Sequence, residues 1–239
     1  MNALSIDWDF FQIVSKEDLL YYPDGIDLGK ELSAVIWRSH YETHPELAAI
    51  PLAEQEYRIL KELLIRQRQS VPVMIANSHV LAYDFILDNL EPEETVVMTN
   101  IDMHQDIVND NAHMDCGNWI GYLFRNGYME KVKVTGTPSL RWVHNPVSFQ
   151  VYGIDKYLED PAGGNFGKVI TAIDGGTTIA PLLNTQYDLI FLARSDMWSP
   201  PHLDTFFYKI VGLCKNHFST VCVEEDIDSP RRITPIKYE

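Results

Sequence analysis

The strongest indication of the fold lies in Thr95-Val-Val-Met-Thr-Asn-Ile-Asp102-Met-His104-Gln-Asp106. Its first part, Thr95–Ile101, is short, rich in β-branched residues and preceded by the turn-forming Glu91-Pro-Glu-Glu94. This pattern predicts a buried strand of a parallel sheet. The apolar run ends at Asp102, and α/β enzymes carry their functional groups at the carboxyl ends of such strands. The sequence therefore predicts an α/β fold with a functional site at this edge.

Asp102, His104 and Asp106 stand at alternate positions where the apolar run ends. Successive residues of a strand point to opposite faces, so we expect Asp102 and His104 on one face, with Asp106 joining them if the chain curls. Carboxylate and imidazole are the ligand types that hard and borderline divalent ions prefer. We interpret the motif as a metal site, and three solvated loop residues are the alternative.

A second pair of carboxylates, Asp7 and Asp9, stands in Leu4-Ser-Ile-Asp7-Trp-Asp9-Phe-Phe11. Their spacing predicts that both side chains lie on one face of a strand. Two like charges so close together are costly unless a cation lies between them. The apolar neighbours favour a packed segment, whereas an edge strand with acids facing water is the alternative.

His79 repeats the pattern of Asp102, because it follows the apolar run Val71–Ala76 and precedes a helical pattern. A core or capping histidine is the alternative there.

Together these residues supply four carboxylates and two imidazoles. This is the inventory for two divalent ions that share carboxylates at a separation of about 3.5–4 Å. Carboxylate-rich sets favour Mn²⁺ over Zn²⁺, so the predicted cofactor is two Mn²⁺, with Zn²⁺ or another divalent ion as the alternative. The predicted ligands are Asp7, Asp9, His79, Asp102, His104 and Asp106.

Apolar runs alternate with helical patterns along the chain, which predicts one domain over residues 1–239 with a mostly parallel, doubly wound sheet and helices on both faces. The predicted strands are Val71–Ala76, Thr95–Ile101, Lys131–Val134, Lys168–Ile173, Tyr187–Ala193 and Thr220–Val223. The predicted helices are Ala53–Arg68, Val80–Asp88, Asn118–Arg125 and His202–His217. Leu28–Tyr41 also has helical character, and Trp142–Gly164 is expected to form long connections that shape a substrate opening.

The formal net charge of −15 over 239 residues disfavours nucleic acids and anionic membranes as partners and attracts cationic ligands. No run is long enough to span a bilayer, and Met1–Leu4 does not resemble a signal peptide, so we expect a cytoplasmic protein. The three cysteines have no metal-type spacing and are expected to be reduced. A nucleophilic role for Cys116 is disfavoured, since no motif places a base beside it.

The chain resembles the arginase-like metallohydrolases (ureohydrolases), in particular the small branch with peptide arginases of ribosomal-peptide biosynthesis. The likeness covers roughly residues 1–11 and 71–125. It rests on Ser5–Phe11, His79 with its following helix, Asp102-Met-His-Gln-Asp106 and Gly117-Asn-Trp-Ile120, with a softer likeness over Tyr187–Pro201.

The resemblance implies a specific distribution of ligands. Asp7 and Asp102 would bridge two Mn²⁺ ions. His79 and Asp106 would complete one ion, and His104 and Asp9 would complete the other. In arginases the Asp-x-Asp strand follows the Asp-x-His-x-Asp strand, whereas here it comes first. A circularly permuted order reconciles the two arrangements.

The activity implied by the resemblance is hydrolysis of the guanidinium group of arginine residues in a precursor peptide, giving ornithine and urea. Two bound ions would lower the pKa of a water so that it can attack the guanidinium carbon. The departing amine needs a proton, for which His113 is the first candidate and His144 the second, although both are also compatible with ordinary loop positions. The oligomeric state is not predicted.

Further roles are assigned to residues that follow apolar strands or the metal motif. The substrate guanidinium needs an acidic partner, and Glu224 and Asp196 are the candidates. We predict Glu224 as a catalytic residue and Asp196 as a substrate-binding residue. Solvated carboxylates are the alternative for both. Asn118 resembles a substrate-contacting asparagine of arginases, and a helix-capping role is equally compatible with its position.

Four other functions compete with a peptide arginase. A small guanidino compound could replace the peptide as substrate. A zinc deacylase of the same fold would lack the ligand at Asp106. A metallophosphoesterase would carry Gly-Asn-His where this chain has Gly117-Asn118-Trp119. The fourth is a non-catalytic, metal-containing peptide-binding module, which would bind metal without releasing urea.

Overall fold

The structure is a computed structural model. It describes residues 1–23, 25, 27–107, 112–134, 170–172 and 178–233. Seven parallel strands form one sheet in these residues, in the order β5-β4-β3-β1-β6-β2-β7. The strands are β1 (Asn2–Asp7), β2 (Val73–Ala76), β3 (Val96–Ile101), β4 (Met129–Val134), β5 (Ile170–Ala172), β6 (Leu189–Ala193) and β7 (Val221–Val223). The predicted parallel α/β fold is confirmed.

Six α-helices accompany the sheet in the described part of the chain, together with short 3₁₀ segments. The helices are α1 (Lys16–Leu19), α2 (Lys30–Thr43), α3 (Glu54–Ile65), α4 (Leu81–Asp88), α5 (Trp119–Arg125) and α6 (Asp204–His217). None of them is long and apolar enough to cross a membrane.

Alternation along the strands divides the core between the two faces of the sheet. Leu4 and Ile6 of β1 belong to one buried cluster with residues of α3 and α6. Ala3 belongs to a second cluster with residues of α4 and α5. Successive strand residues point to opposite faces, so one strand supplies both clusters. Helices therefore cover both faces, as predicted for a doubly wound sheet.

Most predicted elements appear with ends trimmed by a few residues. Each of the predicted strands and helices overlaps an observed one, and Leu28–Tyr41 coincides largely with α2. The predicted connections at Trp142–Gly164 lie outside the described residues. The edge-strand alternative for Asp7 and Asp9 is wrong, because β1 lies between β3 and β6.

Helix α5 holds the loop that follows β3. The backbone N–H of Ile120 donates to the carbonyl of Asp106 at 2.9 Å. Gly121 allows an even closer approach, because a Cβ atom there would lie 1.9 Å from the carbonyl oxygen of Ile107. The helix thus lies directly against the end of the Asp-x-His-x-Asp segment and fixes its path.

Candidate metal centre

The six predicted ligands converge at the carboxyl ends of three strands. Asp7 is the last residue of β1, and Asp102 directly follows β3. His79 comes shortly after β2, which lies on the other side of β6 from β1. Parallel strands align their carboxyl ends at one edge of the sheet, so residues distant in sequence meet there.

His79 is the centre of the first group. Its Nδ1 lies 3.1 Å from Asp7 Oδ2, 3.2 Å from Asp102 Oδ2 and 3.0 Å from Asp106 Oδ2. Asp7, His79 and Asp102 together offer buried ligand atoms close enough to hold one metal ion. Asp106 reaches the group because its backbone adopts a left-handed conformation, with φ of 54°. This is the curl that the motif required.

A second group lies beside the first and consists of Asp9, Asp102 and His104. His104 Nδ1 lies 2.9 Å from Asp9 Oδ2 and 3.6 Å from Asp102 Oδ1. Asp102 belongs to both groups, because its Oδ2 faces His79 and its Oδ1 faces His104. This is the arrangement of a carboxylate that can bridge two sites.

The local backbone at the ligands differs from the predicted strands. β1 ends at Asp7, and Trp8–Phe11 form a 3₁₀ turn in which Asp7 Oδ1 accepts the N–H of Asp9 at 2.9 Å. Their spacing predicted that Asp7 and Asp9 lie on the same face of one strand. This prediction is wrong, because the strand ends between them. Likewise β3 ends at Ile101, so Asp102 and His104 lie beyond the strand. Short polar side chains that bond to nearby N–H groups favour such turns over extended structure.

Each carboxylate oxygen that faces His79 also accepts one hydrogen bond from the protein. Ser195 donates to Asp7 Oδ2. Asn100 Nδ2 donates to Asp102 Oδ2 at 3.1 Å, and Trp119 Nε1 donates to Asp106 Oδ2 at 2.8 Å. Hydrogen bonds of this kind fix the orientation of metal ligands in other proteins.

The His79 ring is held on its other side as well. Ser5 Oγ lies 2.5 Å from Nε2. A hydrogen bond in which Nε2 donates to Ser5 leaves the Nδ1 lone pair directed at the carboxylates, which is the form required of a ligand. Phe191 stacks on the ring with ring centroids 5.8 Å apart, and the Trp119 ring packs against it with centroids 4.9 Å apart.

The buried charges strongly perturb one another. Burial raises the pKa of Asp106 to about 8, and the charge of Asp102 adds to the rise. Burial and the charge of Asp7 raise the pKa of Asp9 well above its usual range. Burial acts to raise the pKa of Asp102, but its contacts with the His104 and His79 imidazoles outweigh burial and lower this pKa.

The two imidazoles respond in the opposite sense to an isolated buried histidine. Burial lowers the pKa of His79, but its contacts with Asp102, Asp106 and Asp7 outweigh this and raise the pKa well above normal. His104 shows the same balance against Asp102 and Asp9. The cluster as a whole therefore attracts positive charge, which protons or a metal ion can supply.

Atoms without hydrogen bonds support a metal ion over protons alone. Among the described residues, His79 Nδ1 and Asp9 Oδ2 are buried and make no hydrogen bond, despite lying close to oppositely charged groups. Buried polar atoms are almost always satisfied, so such atoms call for an absent partner. A cation coordinated by these atoms satisfies them, and the donor set fits a divalent ion.

The two imidazoles of the centre differ in exposure. The His104 side chain is 15% exposed, whereas that of His79 is 1% exposed. Trp198 packs edge-on against the His104 ring, with centroids 4.6 Å apart.

The two predicted guanidinium partners are engaged by the protein. Both Asp196 oxygens contact the Arg194 guanidinium, and Ser33 Oγ donates to Asp196 Oδ2 at 3.1 Å. Glu224 Oε2 accepts the backbone N–H of Asn77 at 2.6 Å. Asp196 is fully buried in this network, and neither residue belongs to the two metal-binding groups.

The residues proposed for substrate contact and proton transfer lie in or beyond the loop before α5. Asn118 is buried, its Oδ1 accepts the N–H of Asp115 at 2.9 Å, and its Nδ2 donates to the carbonyl of His113 at 3.0 Å. Asn118 thus braces this loop, while the His113 side chain is exposed. His144 lies outside the described residues.

Sequence reasoning missed the residues that support the ligands. Ser5 and Asn100 face each other across β1 and β3, a register that no local motif reveals. Asp27, in the connection before α2, was also missed, although its carboxylate interacts with Asp7. A weak signal existed for Ser5 alone, since alternation places it on the opposite face from Leu4 and Ile6.

No family model, curated protein or solved structure matches this chain. The chemistry of the centre is therefore inferred from its own residues.

Proposed function

We propose that this protein is a Mn²⁺-dependent hydrolase that converts arginine residues of a peptide to ornithine and releases urea. The observation that carries the proposal is the shared carboxylate of Asp102, which presents one oxygen to the group of His79 and the other to the group of His104. Two ions bridged by a carboxylate are the usual arrangement in binuclear hydrolases. The residue pattern of the resemblance supports the choice of substrate.

The donor set supports the choice of metal. Four carboxylates and two imidazoles lie at the centre, and no cysteine belongs to the two groups found among the described residues. Oxygen-rich sets suit Mn²⁺, whereas thiolate-rich sets suit Zn²⁺. On this proposal Asp7, His79 and Asp106 would hold one ion, Asp9 and His104 would hold the other, and Asp102 would contribute to both.

The residues have distinct tasks in the proposed reaction. Two bound ions would supply Lewis acidity that lowers the pKa of a water. The water oxygen adds to the guanidinium carbon, the bond from that carbon to the side-chain nitrogen breaks, and a proton passes to the leaving amine. Ser5 and Trp119 hold the side chains of His79 and Asp106 in position during these bond changes. His113 and His144 remain the proposed proton donors.

The charge of the protein supports a cationic substrate. The formal net charge of −15 attracts an arginine-bearing peptide and repels phosphate-rich ligands. The cytoplasm is the proposed compartment, and the three cysteines are free thiols, as that compartment requires.

Mass spectrometry of peptides tests the proposal directly. The Mn²⁺-loaded protein is incubated with an arginine-containing peptide, with the same peptide carrying lysine, and with free arginine. We expect the arginine peptide to lose one CH₂N₂ unit per converted residue, with a matching amount of urea. Asp102→Ala should abolish conversion, because it removes a ligand from both groups, while Asp84→Ala on the exposed surface of α4 should not.

The result separates the proposed function from its alternatives. Conversion of free arginine without conversion of the peptide would redirect the proposal to a small guanidino substrate. Metal binding without urea from any guanidino compound would contradict hydrolysis of guanidinium groups and favour a deacylase or a binding module.

A further inference from the structure

One buried carboxylate beside the metal centre has no evident role in holding the fold. Asp27 lies in the connection between α1 and α2, with its carboxylate beside the Ser78 side chain and the Met197 backbone. Ser78 directly precedes the ligand His79. The backbone of Asp27 also contacts the Cys116 thiol, which is in electrostatic range of Asp106. These contacts place Asp27 at the same edge of the sheet as the metal ligands.

The carboxylate of Asp27 lacks the partners that a buried charge normally has. Both oxygens are buried, and neither makes a well-formed hydrogen bond within the described part of the chain. Its strongest electrostatic neighbours are two further carboxylates, those of Asp7 and Asp196. A buried carboxylate without a cation or well-formed hydrogen bonds is costly, so its presence here calls for an explanation.

Asp27 differs in this respect from the other carboxylates at this edge. Asp7 belongs to a metal-binding group, but Asp27 belongs to neither of the two groups found among the described residues. Asp196 is paired with Arg194, and Glu224 accepts a backbone N–H. Asp27 therefore has two buried acceptor oxygens with only weak contacts to Ser78 and Met197, where these neighbours have well-formed protein partners or a place in the ligand set.

We infer that the Asp27 carboxylate binds the planar cationic group of the substrate at the rim of the metal centre. Two oxygens side by side match the parallel N–H donors of a guanidinium or amidinium group, whereas an ammonium group offers no such fork. The cation also relieves the repulsion from Asp7 and Asp196. The identity of the ligand as an arginine side chain rests on the proposed function, but the cation site itself rests on the geometry of Asp27.

The probe for this site is benzamidinium, which carries the planar pair of N–H₂ groups and is not an arginase-type substrate. Benzamide has nearly the same shape without the charge. Binding of both to the Mn²⁺-loaded protein is measured by calorimetry for the wild type, Asp27→Asn and Glu31→Gln. Glu31 is a matched control, because it also loses one negative charge and its side chain is 93% exposed.

We expect the wild type and Glu31→Gln to bind benzamidinium at least about tenfold more tightly than benzamide, since a charge-assisted bidentate pair is lost with the neutral compound. Asp27→Asn should lose this preference while it keeps its Mn²⁺ content and melting temperature. Asp27→Ser is the second variant, used if the asparagine form does not fold, and it should lose the preference too.

A preference that survives in Asp27→Asn or Asp27→Ser would overturn the inference, as would a wild type that binds the two compounds equally. Urea release, measured in parallel, reports on the proposed function separately. A wild type that releases urea while the Asp27 variants bind benzamidinium normally would keep the hydrolase and remove Asp27 from it. Loss of binding in the variants without urea from the wild type would keep the cation site and remove the hydrolase.

Discussion

The His79 ring depends on residues that never touch a metal ion. Ser5 lies against Nε2, Phe191 stacks on one face and Trp119 contacts the ring. The three neighbours fix the tilt of the ring and the nitrogen that faces the carboxylates. The geometry of the centre is therefore determined as much by these neighbours as by the ligands themselves.

Replacement of Ser5 by alanine tests this dependence. Ser5→Ala removes the partner of Nε2 and leaves the ring free to turn or to place its proton on Nδ1. We expect the affinity for Mn²⁺ to fall by roughly 10–100-fold, as is typical when such a partner is lost. Calorimetry with the metal-free protein measures the change.

Ser219→Ala is the control, since Ser219 is exposed in the turn before β7. Its affinity for Mn²⁺ should equal that of the wild type. An unchanged affinity in Ser5→Ala would mean that packing by Phe191 and Trp119 alone orients the His79 ring.

Two glycines within helices have opposite surroundings. Gly121 of α5 faces the Ile107 carbonyl so closely that a Cβ atom would lie 1.9 Å from its oxygen. Gly212 of α6 has nothing within 4 Å of such an atom. The first glycine allows helix and loop to touch, whereas the second only adds backbone freedom to the unfolded chain.

The two alanine substitutions should therefore change stability in opposite directions. Gly121→Ala must displace the Ile107 backbone, and we expect a loss of about 1–3 kcal/mol or more in the free energy of unfolding. Gly212→Ala should add roughly 0.5–1 kcal/mol. Urea denaturation measures both changes.

Gly121→Ala should also weaken Mn²⁺ binding, because Ile107 directly follows the ligand Asp106. Gly212→Ala should leave Mn²⁺ binding unchanged. Equal stability of the two variants would contradict the close packing of α5 on the metal loop.

The elements also show which parts of the fold could be predicted from sequence. Strands such as β3 and β6 were predictable, because buried parallel strands are continuous apolar runs with local signals. The end of β1 at Asp7 was not, since it depends on a hydrogen bond from the Asp9 N–H that competes with strand extension. The candidate ligands could likewise be predicted from local sequence. The hydrogen bond from Ser195 to Asp7 could not, because it depends on the pairing of β1 with β6.

The candidate metal centre joins strands from the middle of the sheet. Asp7, His79 and Asp102 come from the ends of β1, β2 and β3, and four buried carboxylates repel one another unless a cation lies between them. A metal ion bound only by the folded state stabilises the whole domain through mass action. Removal of the metal should therefore be visible as a global loss of stability.

Chelation should lower the melting temperature, and more strongly at about pH 9 than at about pH 6. In the metal-free protein the pKa of Asp106 is raised to about 8, and those of His79, His104 and Asp9 are raised as well. Protons bound by these groups stabilise the metal-free fold at low pH and leave as pH rises. Scanning calorimetry with and without chelator at both pH values measures the effect.

Asp102→Ala provides the reference for this experiment, because it removes a ligand of both groups. Its melting temperature should respond little to chelator at either pH. A wild-type melting temperature that is insensitive to chelator at both values would contradict a metal ion shared between the strands.

The strand order also affects how the protein is made. All six candidate ligands have been synthesised once Asp106 is added to the chain, yet β6, at Leu189–Ala193, which lies between β1 and β2 in the sheet, is made later. At typical elongation rates of about 5–20 residues per second, the nascent chain carries these carboxylates in water for several seconds. A fragment that stops before β6 therefore keeps every candidate ligand but lacks the strand that joins β1 to β2, and we expect it to bind metal ions more weakly than the chain that includes β6.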